Sequence, residues 1–520
     1  MGKLPENLRL PLAFPERWMY NTHNSHANRE GRNRMEMEKC LARILPVPKS
    51  ITGGNAEGKY PPHIRVQDER FLGYLPVCRE NFRKFFDLSL TDGEGGVYLC
   101  RDDALDGEAY RISCTPEGIF LCSAGTEGMG SALSTLYQIL RNAEGSLAAP
   151  LCTIQDAPDC AYRTVMVDLP AWRTMEEMFR YVDLCHLYKI RYLHLHLADN
   201  GGYCLPSRLF PDLPTPGKHF TFAQVSMLRQ YCRERNVEII PEIDVPGHTG
   251  YLSKACADWL CTGSEDPAEE IRPDGTVRRD LLCVGKPGVM EKLRALFAEV
   301  MELFPESRYF HIGGDEAATE SWNTCRYCRT YMQEHGIAGD RALYTHFIKV
   351  ASDMVLEMGR TPVVWEGFPK EGAEEISRDV VVTAWESLYH LPQDLLAEGF
   401  TITNASWMPL YMVHPDSYHA RFVKDGRWQP EEILTDWTVY TWKNWWEKSF
   451  AYEKPIVVEP TPQVIGATFC VWLTDFAVEL PVIRENLPAM CERLWNTDST
   501  LSAEEFRKRF AHLASLADKL

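Results

Sequence analysis

Eight short apolar runs alternate with longer amphipathic stretches after about residue 160, and this alternation restricts the possible folds of the 520-residue chain severely. The runs are RTVMVDL, IRYLHLHL, VEIIPEID, RYFHIGGD, TPVVWEG, VVVTAW, FTITNAS and GATFCVWL. Helical periodicity predicts helices between them at Met175 to Tyr188, Phe222 to Arg235, Val289 to Phe304 and Arg341 to Met358. Buried strands that alternate with helices predict an α/β fold, a (β/α)8 or TIM barrel.

The first 150 residues have a different texture, in which short β-like segments precede one helical pattern. The segments are GGVYLCRDD and AYRISCTPEGIFLCSA, and the helical pattern is GSALSTLYQILRNA. We predict a small α+β domain over residues 1–150 and, over residues 151–520, the barrel with a C-terminal helix. The segment EGSLAAPLCTIQDAPDC predicts a linker, and HPDSYHARFVKDGRWQPEEILTDW predicts a long loop insertion.

The formal net charge of −18 makes nucleic acids and anionic membranes poor partners, because both are bound through basic patches. No apolar run approaches the roughly 20 residues that span a bilayer. The start, MGKLPENLRLPLAFPERWMY, lacks the apolar core of a signal peptide. We therefore expect a cytoplasmic protein with no nucleic-acid or membrane partner, although a trimmed signal would be compatible with secretion. The oligomeric state is open, with a homodimer among the alternatives.

The 17 cysteines are scattered and odd in number, which favours reduced thiols over a disulfide framework. Cys325 and Cys328 form a CxxC pair. Such a pair indicates zinc when a second pair follows at finger-like spacing, and no second pair does so here. We therefore predict no zinc site at this pair and no cofactor.

Polar and aromatic side chains stand where the predicted strands end. In a barrel, these ends form the mouth that carries the active site. In chain order the residues are Arg163 and Asp168, then His194, His196 and Asp199, then Glu242, Asp244 and His248, then His311, Asp315 and Glu316, then Trp365, Glu366, Trp385, Glu386, Trp407, Tyr411, Trp472 and Asp475. The mouth is acidic and aromatic, which suits sugars, although each tryptophan taken alone fits a core position equally well.

Two reaction classes use these residue types. Glycoside hydrolysis usually needs two carboxylates about 5 Å or more apart across the bond, and the adjacent Asp315 and Glu316 fit that requirement awkwardly. Metal-assisted hydrolysis is the alternative. His194 and His196 form an HxH whose side chains point the same way on a strand, and Asp199, His248 and Asp315 are candidate further ligands.

The motif HIGGDE at residues 311–316 resembles the signature of glycoside hydrolase family 20, the β-N-acetylhexosaminidases. YRTVMVDL, YKIRYLHLHLAD and PEIDVPGHT are similar to the first three barrel strands of that family. CERLWN resembles its closing helix, and GSALSTLYQIL resembles the helix of its small preceding domain. The similar segments extend from about Glu108 to Asn496 in the family's order.

The resemblance implies an exo-acting, retaining enzyme that removes terminal β-linked GlcNAc or GalNAc from an oligosaccharide or glycoconjugate. It also implies that no metal and no protein nucleophile take part, an exception to the two-carboxylate scheme. The 2-acetamido oxygen of the substrate attacks the anomeric carbon and forms an oxazolinium intermediate. Glu316 is then expected to act as general acid and afterwards as base, and Asp315 to orient the acetamido N–H and stabilise the positive charge.

The same resemblance assigns residues around the two acids. Asp199 and His248 match the pair that supports the acid/base, and Tyr411 matches the donor to the acetamido oxygen. Arg163 matches the arginine that holds sugar hydroxyls. The predicted substrate-binding set also contains Trp365, Trp385, Trp407, Trp472 and Asp475.

Several positions depart from the family's pattern. Thr164 stands in place of a glycine, and PAWR at residues 170–173 replaces Ser-Arg-His. Met412 and Val413 replace Leu-Asp, and Thr474 stands where a glutamate is usual. Several of the replaced groups would contact O4 and O6 of the sugar, so we expect an altered sugar preference. A metal hydrolase built on His194 and His196, and a barrel that binds sugar without turnover, are the alternatives.

Overall fold

The computed structural model of the chain describes residues 40–261, 280–413, 428–472 and 475–520. Its first part is a sheet domain. The strands are β1 (Ser50–Tyr60), β2 (His63–Val66), β3 (Thr91–Asp92), β4 (Val97–Arg101), β5 (Tyr110–Thr115), β6 (Gly118–Ser123), β7 (Arg141–Ala143) and β8 (Ser146–Asp156). They are ordered β1-β8-β5-β6-β4-β2-β3, with β7 beside β8. Helix α1 (Leu75–Phe86) follows a 3₁₀ turn, and helix α2 (Thr126–Ile139) packs on β5 and β6.

Strand β8 shows that the predicted linker is wrong. It pairs antiparallel with β1 and with β5, and most of its residues are buried. The small residues and the proline that suggested a linker therefore lie inside a sheet. The sheet continues to Asp156, so the predicted boundary at residue 150 falls within a strand.

The second part contains a closed barrel. The strands are β9 (Tyr162–Asp168), β10 (Tyr192–His196), β11 (Ala198–Asp199), β12 (Gly202–Tyr203), β13 (Glu238–Glu242), β14 (Tyr309–His311), β15 (Thr361–Trp365), β16 (Val381–Ala384), β17 (Thr401–Asn404), β18 (Tyr411–Val413), β19 (Thr441–Trp442), β20 (Ile456–Val457) and β21 (Val464–Trp472). Among them, β9, β10, β13 to β17 and β21 are all parallel, and β17 pairs with β21 to close the ring. The predicted (β/α)8 barrel is confirmed, and each predicted run contains one barrel strand.

The helices of this part are α3 (Met175–Leu187), α4 (Phe222–Glu234), α5 (Val289–Leu303), α6 (Glu320–Thr324), α7 (Arg326–His335), α8 (Asp340–Glu357), α9 (Pro392–Ala397), α10 (Pro430–Asp436), α11 (Phe476–Trp495) and α12 (Ala503–Ala517). Reciprocal capping boxes at Thr174–Glu177 and Thr221–Gln224 fix the starts of α3 and α4. The four predicted helices agree with the structure to within one residue at each end. None of the helices in the described ranges is both long and apolar enough to cross a membrane.

The predicted loop insertion over residues 414–437 is wrong at its C-terminal end. Residues 414–427 lie outside the described residues, but Pro430–Asp436 is helix α10. A proline at the first helical position and a capping box between Gln429 and Glu432 start this helix. Its apolar residues pack against α11, so helix packing decided the conformation of a segment that is mostly polar in sequence.

Candidate active site

The mouth of the barrel contains a layer of charged side chains that the strand register brings level. Asp168, His196, Glu242 and His311 are direct neighbours on β9, β10, β13 and β14. Residues paired in parallel strands lie at one height in the sheet. Because these are the last residues of their strands, the layer forms the floor of the mouth.

Glu242 is at the centre of this layer. Its carboxylate contacts His194 Nε2 and His196 Nδ1, each at 2.8 Å, and accepts a hydrogen bond from Trp365 Nε1 at 2.6 Å. His311 Nδ1 lies 3.2 Å away. Burial acts to raise the pKa of Glu242, but the three histidines outweigh it and hold the pKa well below its usual range.

His194 and His196 therefore have a role other than the metal binding that was considered for the HxH pair. His194 and His196 do point the same way, but both are directed at one oxygen of Glu242. His194 is buried and stacks on His311 with ring centroids 4.7 Å apart. Hydrogen bonding within a buried carboxylate–imidazole cluster accounts for both side chains.

A chain of hydrogen bonds and close contacts leads from this floor to the two adjacent acids. His196 Nε2 lies 3.2 Å from Asp199 Oδ2, and Asp199 Oδ1 lies 3.1 Å from His248 Nδ1. His248 Nε2 then lies 3.4 Å from Glu316 Oε2 and 3.8 Å from Asp315 Oδ2. The structure thus brings together the four residues that the sequence placed in the acid/base group.

The charge states along this chain follow from the contacts. Burial acts to raise the pKa of Asp199, but hydrogen bonds with His196 and His248 hold it below its usual range. Burial acts to lower the pKa of His248, but Asp244, Asp199, Glu316 and Asp315 raise it above its usual range. Asp199 is therefore a carboxylate, and His248 is an imidazolium that faces both acids.

The two adjacent acids occupy different environments. The Asp315 side chain is 10% exposed, whereas that of Glu316 is 54% exposed. Asp315 Oδ1 is buried and has no hydrogen-bond partner among the described residues. Burial raises the pKa of Asp315 to about 7, with His248 opposing and Glu316 and Glu242 reinforcing the shift. A buried acceptor without a donor is costly, so this oxygen is suited to an N–H that arrives with a ligand.

The backbone before the acids explains why glycines precede them. Gly313 has a φ of 69°, and a Cβ there would lie 1.8 Å from Asp244 Oδ1. The same carboxylate oxygen accepts the Gly314 N–H at 3.2 Å. Glu316 and His248, with φ of 45° and 52°, also lie in the left-handed region, which is unusual for residues with side chains. Such strain is concentrated at functional sites, where the surroundings hold it in place.

An aromatic wall borders the acids. Trp385 stacks on Tyr411 with centroids 6.1 Å apart and planes at 8°, and Trp407 lies 5.5 Å from Trp385. Burial, then nearby Cys470 and Asp315, raise the pKa of Tyr411 well above its usual range, so its hydroxyl is a neutral donor beside Asp315. The wall comprises Trp365, Trp385, Trp407, Tyr411, Trp428 and Trp445, with Trp446 and Trp472 packed against it. Sequence reasoning missed Trp428, Trp445 and Trp446, although the run WKNWW was a visible signal.

The assignment of Arg163 to sugar binding is wrong. Arg163 is the second residue of β9, so it lies at the end of the barrel opposite the mouth. Its guanidinium bonds the Glu108 carboxylate at 2.6 and 3.0 Å and the carbonyl oxygens of Cys160 and Lys189, and the side chain is 1% exposed. These contacts join the barrel to the sheet domain. The next arginine in the chain after β9 is Arg173, in the segment PAWR, and it is paired with Glu479.

Replacing Arg163 with methionine is expected to lower the free energy of unfolding by about 3–5 kcal/mol, because it leaves the partly buried Glu108 carboxylate unpaired. Denaturant unfolding measures the loss. The matched control is Arg79→Met, which breaks an exposed pair with Asp92 and should cost less than about 1 kcal/mol. A large rise in KM with unchanged stability would restore the sugar-binding role.

The remaining predicted positions are partly described. Asp475 is exposed at the start of α11, on the side of the mouth, and its role in substrate binding stays a prediction. Val413 pairs in register with Trp472 in β18 and β21, and Trp472 packs against the wall. Thr474 lies outside the described residues. Glu366 accepts hydrogen bonds from the backbone N–H groups of residues 386–390, so it orders the loop after β16.

Comparison with known families gives two matches. The model described as "Glycosyl hydrolase family 20, catalytic domain" matches residues 160–498, and "Glycosyl hydrolase family 20, domain 2" matches residues 42–157. The first match covers the barrel and the second covers the sheet domain, with a junction that follows β8.

The sequence identity to individual relatives is low. A beta-hexosaminidase of Akkermansia muciniphila is 32% identical over 278 residues, which cover 50% of this chain and only 56% of that protein. One of Vibrio furnissii is 27% identical over 455 residues, 79% of this chain and 71% of the relative. A solved GH20 exo beta-N-acetylglucosaminidase from Vibrio harveyi, in complex with N-acetylglucosamine, has a TM-score of 0.76 and 21% identity over 92% of this chain and 77% of that one. This structural likeness shows a shared fold.

Proposed function

The chain belongs to glycosyl hydrolase family 20, and from this we propose that it is a retaining exo-glycosidase that releases terminal β-linked N-acetylhexosamine from glycans. One observation carries the proposal. Asp315, a buried carboxylate with one oxygen that has no partner among the described residues, stands beside an exposed carboxylate, Glu316, and His248 faces both. That arrangement supports a reaction in which the substrate supplies its own nucleophile.

Asp315 acts on the acetamido group. Its buried Oδ1, which no described residue bonds, accepts the acetamido N–H, and this contact turns the carbonyl oxygen toward the anomeric carbon. As that oxygen attacks, positive charge develops on the acetamido group and the ionised carboxylate stabilises it. Tyr411, a neutral hydroxyl beside Asp315, donates to the acetamido oxygen and fixes its direction.

Glu316 moves the proton. Its exposed position at the mouth places it next to the glycosidic oxygen, which it protonates as the bond to the aglycone breaks. Water then attacks the oxazolinium intermediate, and Glu316 takes the water's proton. His248, held by Asp199 at 3.1 Å, keeps a positive charge beside the carboxylate that forms when Glu316 gives up its proton.

The aromatic wall shapes the pocket that receives the acetamido group. Trp365 is fixed by its hydrogen bond to Glu242, and Trp385 by one to the Glu366 carbonyl oxygen at 2.5 Å. Side chains fixed in this way offer a preformed apolar surface. Such a surface keeps water away from an intermediate that water would otherwise open too early.

The same geometry argues against the two alternative functions, a metal hydrolase and a sugar-binding barrel without turnover. A metal hydrolase would bind its ion with the ring nitrogens of His194 and His196 that converge, but His194 Nε2 and His196 Nδ1 both bond Glu242 Oε2, and His196 Nε2 lies 3.2 Å from Asp199 Oδ2. A sugar-binding barrel without turnover would not need a strained Glu316 at the mouth with His248 beside it. The family match favours the glycosidase over both.

The substrate is a glycan, and we propose that both GlcNAc and GalNAc are accepted. Val413, in register with Trp472, presents an apolar side chain where the family's pattern has an aspartate. Fewer polar contacts to O4 reduce the discrimination between 4-epimers. We also propose a reducing, cytoplasmic location, since none of the 17 cysteines is paired in a disulfide.

Hydrolysis of aryl N-acetyl-β-glucosaminides and N-acetyl-β-galactosaminides tests the proposal. We expect release of the phenol from both, with the β anomer of the sugar appearing first by proton NMR. The matching aryl β-glucoside has no acetamido group and should not be hydrolysed. Initial release of the α anomer, or equal hydrolysis of the glucoside, would overturn the assisted mechanism. Binding of a thiazoline inhibitor without any turnover would favour the sugar-binding barrel.

The activity should fall on the acidic side as Asp315 takes up a proton. Its pKa is raised to about 7 by burial, so kcat/KM should decline as the pH drops through that value. The pH profile of kcat/KM measures this decline, and the Asp315→Asn variant should not show it. An unchanged decline in that variant would assign the titration to another group.

A further inference from the structure

Four cysteine sulfurs meet in one cluster beside the loops that carry the acids. Cys261, Cys283, Cys325 and Cys328 are all buried, and their Sγ atoms lie within 4.8 Å of one another. Cys283 Sγ lies 3.6 Å from Cys328 Sγ and 3.7 Å from Cys325 Sγ, and Cys261 Sγ lies 3.9 Å from Cys328 Sγ. A disulfide would need about 2.05 Å, so the four are not paired as disulfides.

We propose that these four thiolates hold a structural Zn²⁺ ion that fastens together the two loops of the acid/base group. A zinc–sulfur bond of about 2.3 Å in a tetrahedron gives sulfur–sulfur edges of about 3.75 Å. The three sulfur–sulfur separations of 3.6, 3.7 and 3.9 Å match that edge closely. Four protein ligands leave no open position for water, so the site is structural and takes no part in the hydrolysis.

The backbone around the cluster is built to bring two distant segments together. The Cys261 N–H donates to the Leu281 carbonyl oxygen and the Cys283 N–H to that of Trp259, both at 2.8 Å, which forms a short antiparallel bridge. Cys325 directly precedes α7, and Cys328 is in its first turn. A Cβ on Gly285 would lie 2.2 Å from the Tyr327 carbonyl oxygen, so only glycine lets the two segments approach this closely.

The charge balance also fits a metal. Four thiolates around a divalent ion leave a net charge of −2, which is costly in a buried site unless cations are near. Lys286, three residues after Cys283, and Arg326, next to Cys325, both lie over the ring of Tyr327, at 5.8 and 4.6 Å. Each ligand segment therefore carries a cation within three residues of a cysteine.

The cluster is tied directly to the catalytic loops. The Leu282 N–H donates to the Pro246 carbonyl oxygen at 2.9 Å, and the Thr249 N–H to that of Asp280 at 3.3 Å. These two bonds bracket His248 in sequence. On the other side, Trp322 Nε1 donates to the Leu282 carbonyl oxygen at 2.9 Å, and Trp322 lies between Glu316 and Cys325 in the chain. Zinc at the cluster would thus fix the separation of His248 from the acids.

Metal analysis of the full chain tests the site without any substrate, so its outcome is separate from that of the glycosidase proposal. Protein produced with zinc present and purified without chelator should contain about one zinc per chain. The double variant Cys325→Ser, Cys328→Ser should contain almost none. Cys256→Ser, a buried cysteine on the same loop that lies outside the cluster, is the matched control and should keep its zinc.

Reconstitution keeps the test valid where the double variant does not fold. Zinc stripped from the wild-type protein with a thiol-reactive mercurial and a chelator, followed by thiol reduction, should lower the melting temperature, and zinc but not magnesium should restore it. Cobalt in place of zinc should give the absorption of a tetrahedral tetrathiolate. Folded wild-type protein without zinc, stoichiometric iron in its place, or zinc retained in the double variant would each overturn the assignment.

The positioning role has its own readout. Stripped protein that is still folded should show kcat/KM lower by about ten- to a hundredfold, because displacement of His248 or Glu316 by about an ångström misplaces the proton. The loss should be smaller on substrates with good leaving groups. Unchanged kinetics in zinc-free protein would remove the link between the cluster and the acid/base group.

Discussion

Replacing Glu316 with glutamine is expected to lower kcat/KM by about 10²- to 10⁴-fold on substrates with a poor leaving group, such as a β-linked GlcNAc disaccharide. The glutamine keeps the size of the side chain but cannot donate the proton that a poor leaving group requires. On a dinitrophenyl glycoside, whose phenolate departs unaided, the loss should be far smaller. Kinetics over a series of aryl glycosides of graded phenol pKa measure the difference.

The exposure of Glu316 makes this substitution a clean test, because a half-exposed side chain contributes little to packing. Glu320→Gln, an exposed carboxylate on the same loop at the start of α6, is the matched control and should leave all rates unchanged. Azide needs no deprotonation, so it should accelerate breakdown of the intermediate in Glu316→Gln and yield the β-azide. Equal losses on all leaving groups would contradict a general-acid role.

The barrel could be predicted from the sequence because its strands and helices carry strong local signals. Strands buried on both faces appear as continuous apolar runs, and capped amphipathic helices appear as periodic ones. Strand β8 could not be predicted in this way, because its proline and small residues are compatible with a strand only when β1 and β5 lie beside it. Pairing across a sheet is not visible in a single segment.

The candidate site, like the fold, could be predicted only where the signal is local in the sequence. Residues at strand ends, such as Asp315 and Asp199, could be placed at the mouth because strand direction fixes which end they occupy. Arg163 could have been excluded by the same rule, since it lies at the start of its strand. The cysteine cluster could not be predicted, because Cys261 and Cys283 form no second CxxC pair and only the folding of the loops after β13 and β14 brings them to Cys325 and Cys328. Trp428 joins the wall in the same way, through tertiary packing.

Replacing Asp315 with asparagine is expected to lower kcat/KM by about 10²- to 10³-fold on every leaving group. The neutral amide cannot stabilise the positive charge that develops on the acetamido group, and this charge forms whichever aglycone leaves. Substrates with fluorinated N-acetyl groups sharpen the test. Fluorine weakens the carbonyl oxygen as a nucleophile, so the wild-type rate should fall steeply with each fluorine.

Stability separates this catalytic loss from misfolding. The folded-state pKa of Asp315 is raised to about 7, so the aspartate's contribution to stability is present at low pH and is lost as the pH rises through that value. At pH 8 the asparagine variant should therefore melt no lower than the wild type. A wild-type rate that is insensitive to fluorination would show that the acetamido group is not the nucleophile. A loss in Asp315→Asn that grows with leaving-group pKa would instead make Asp315 the proton donor and exchange the roles of the two acids.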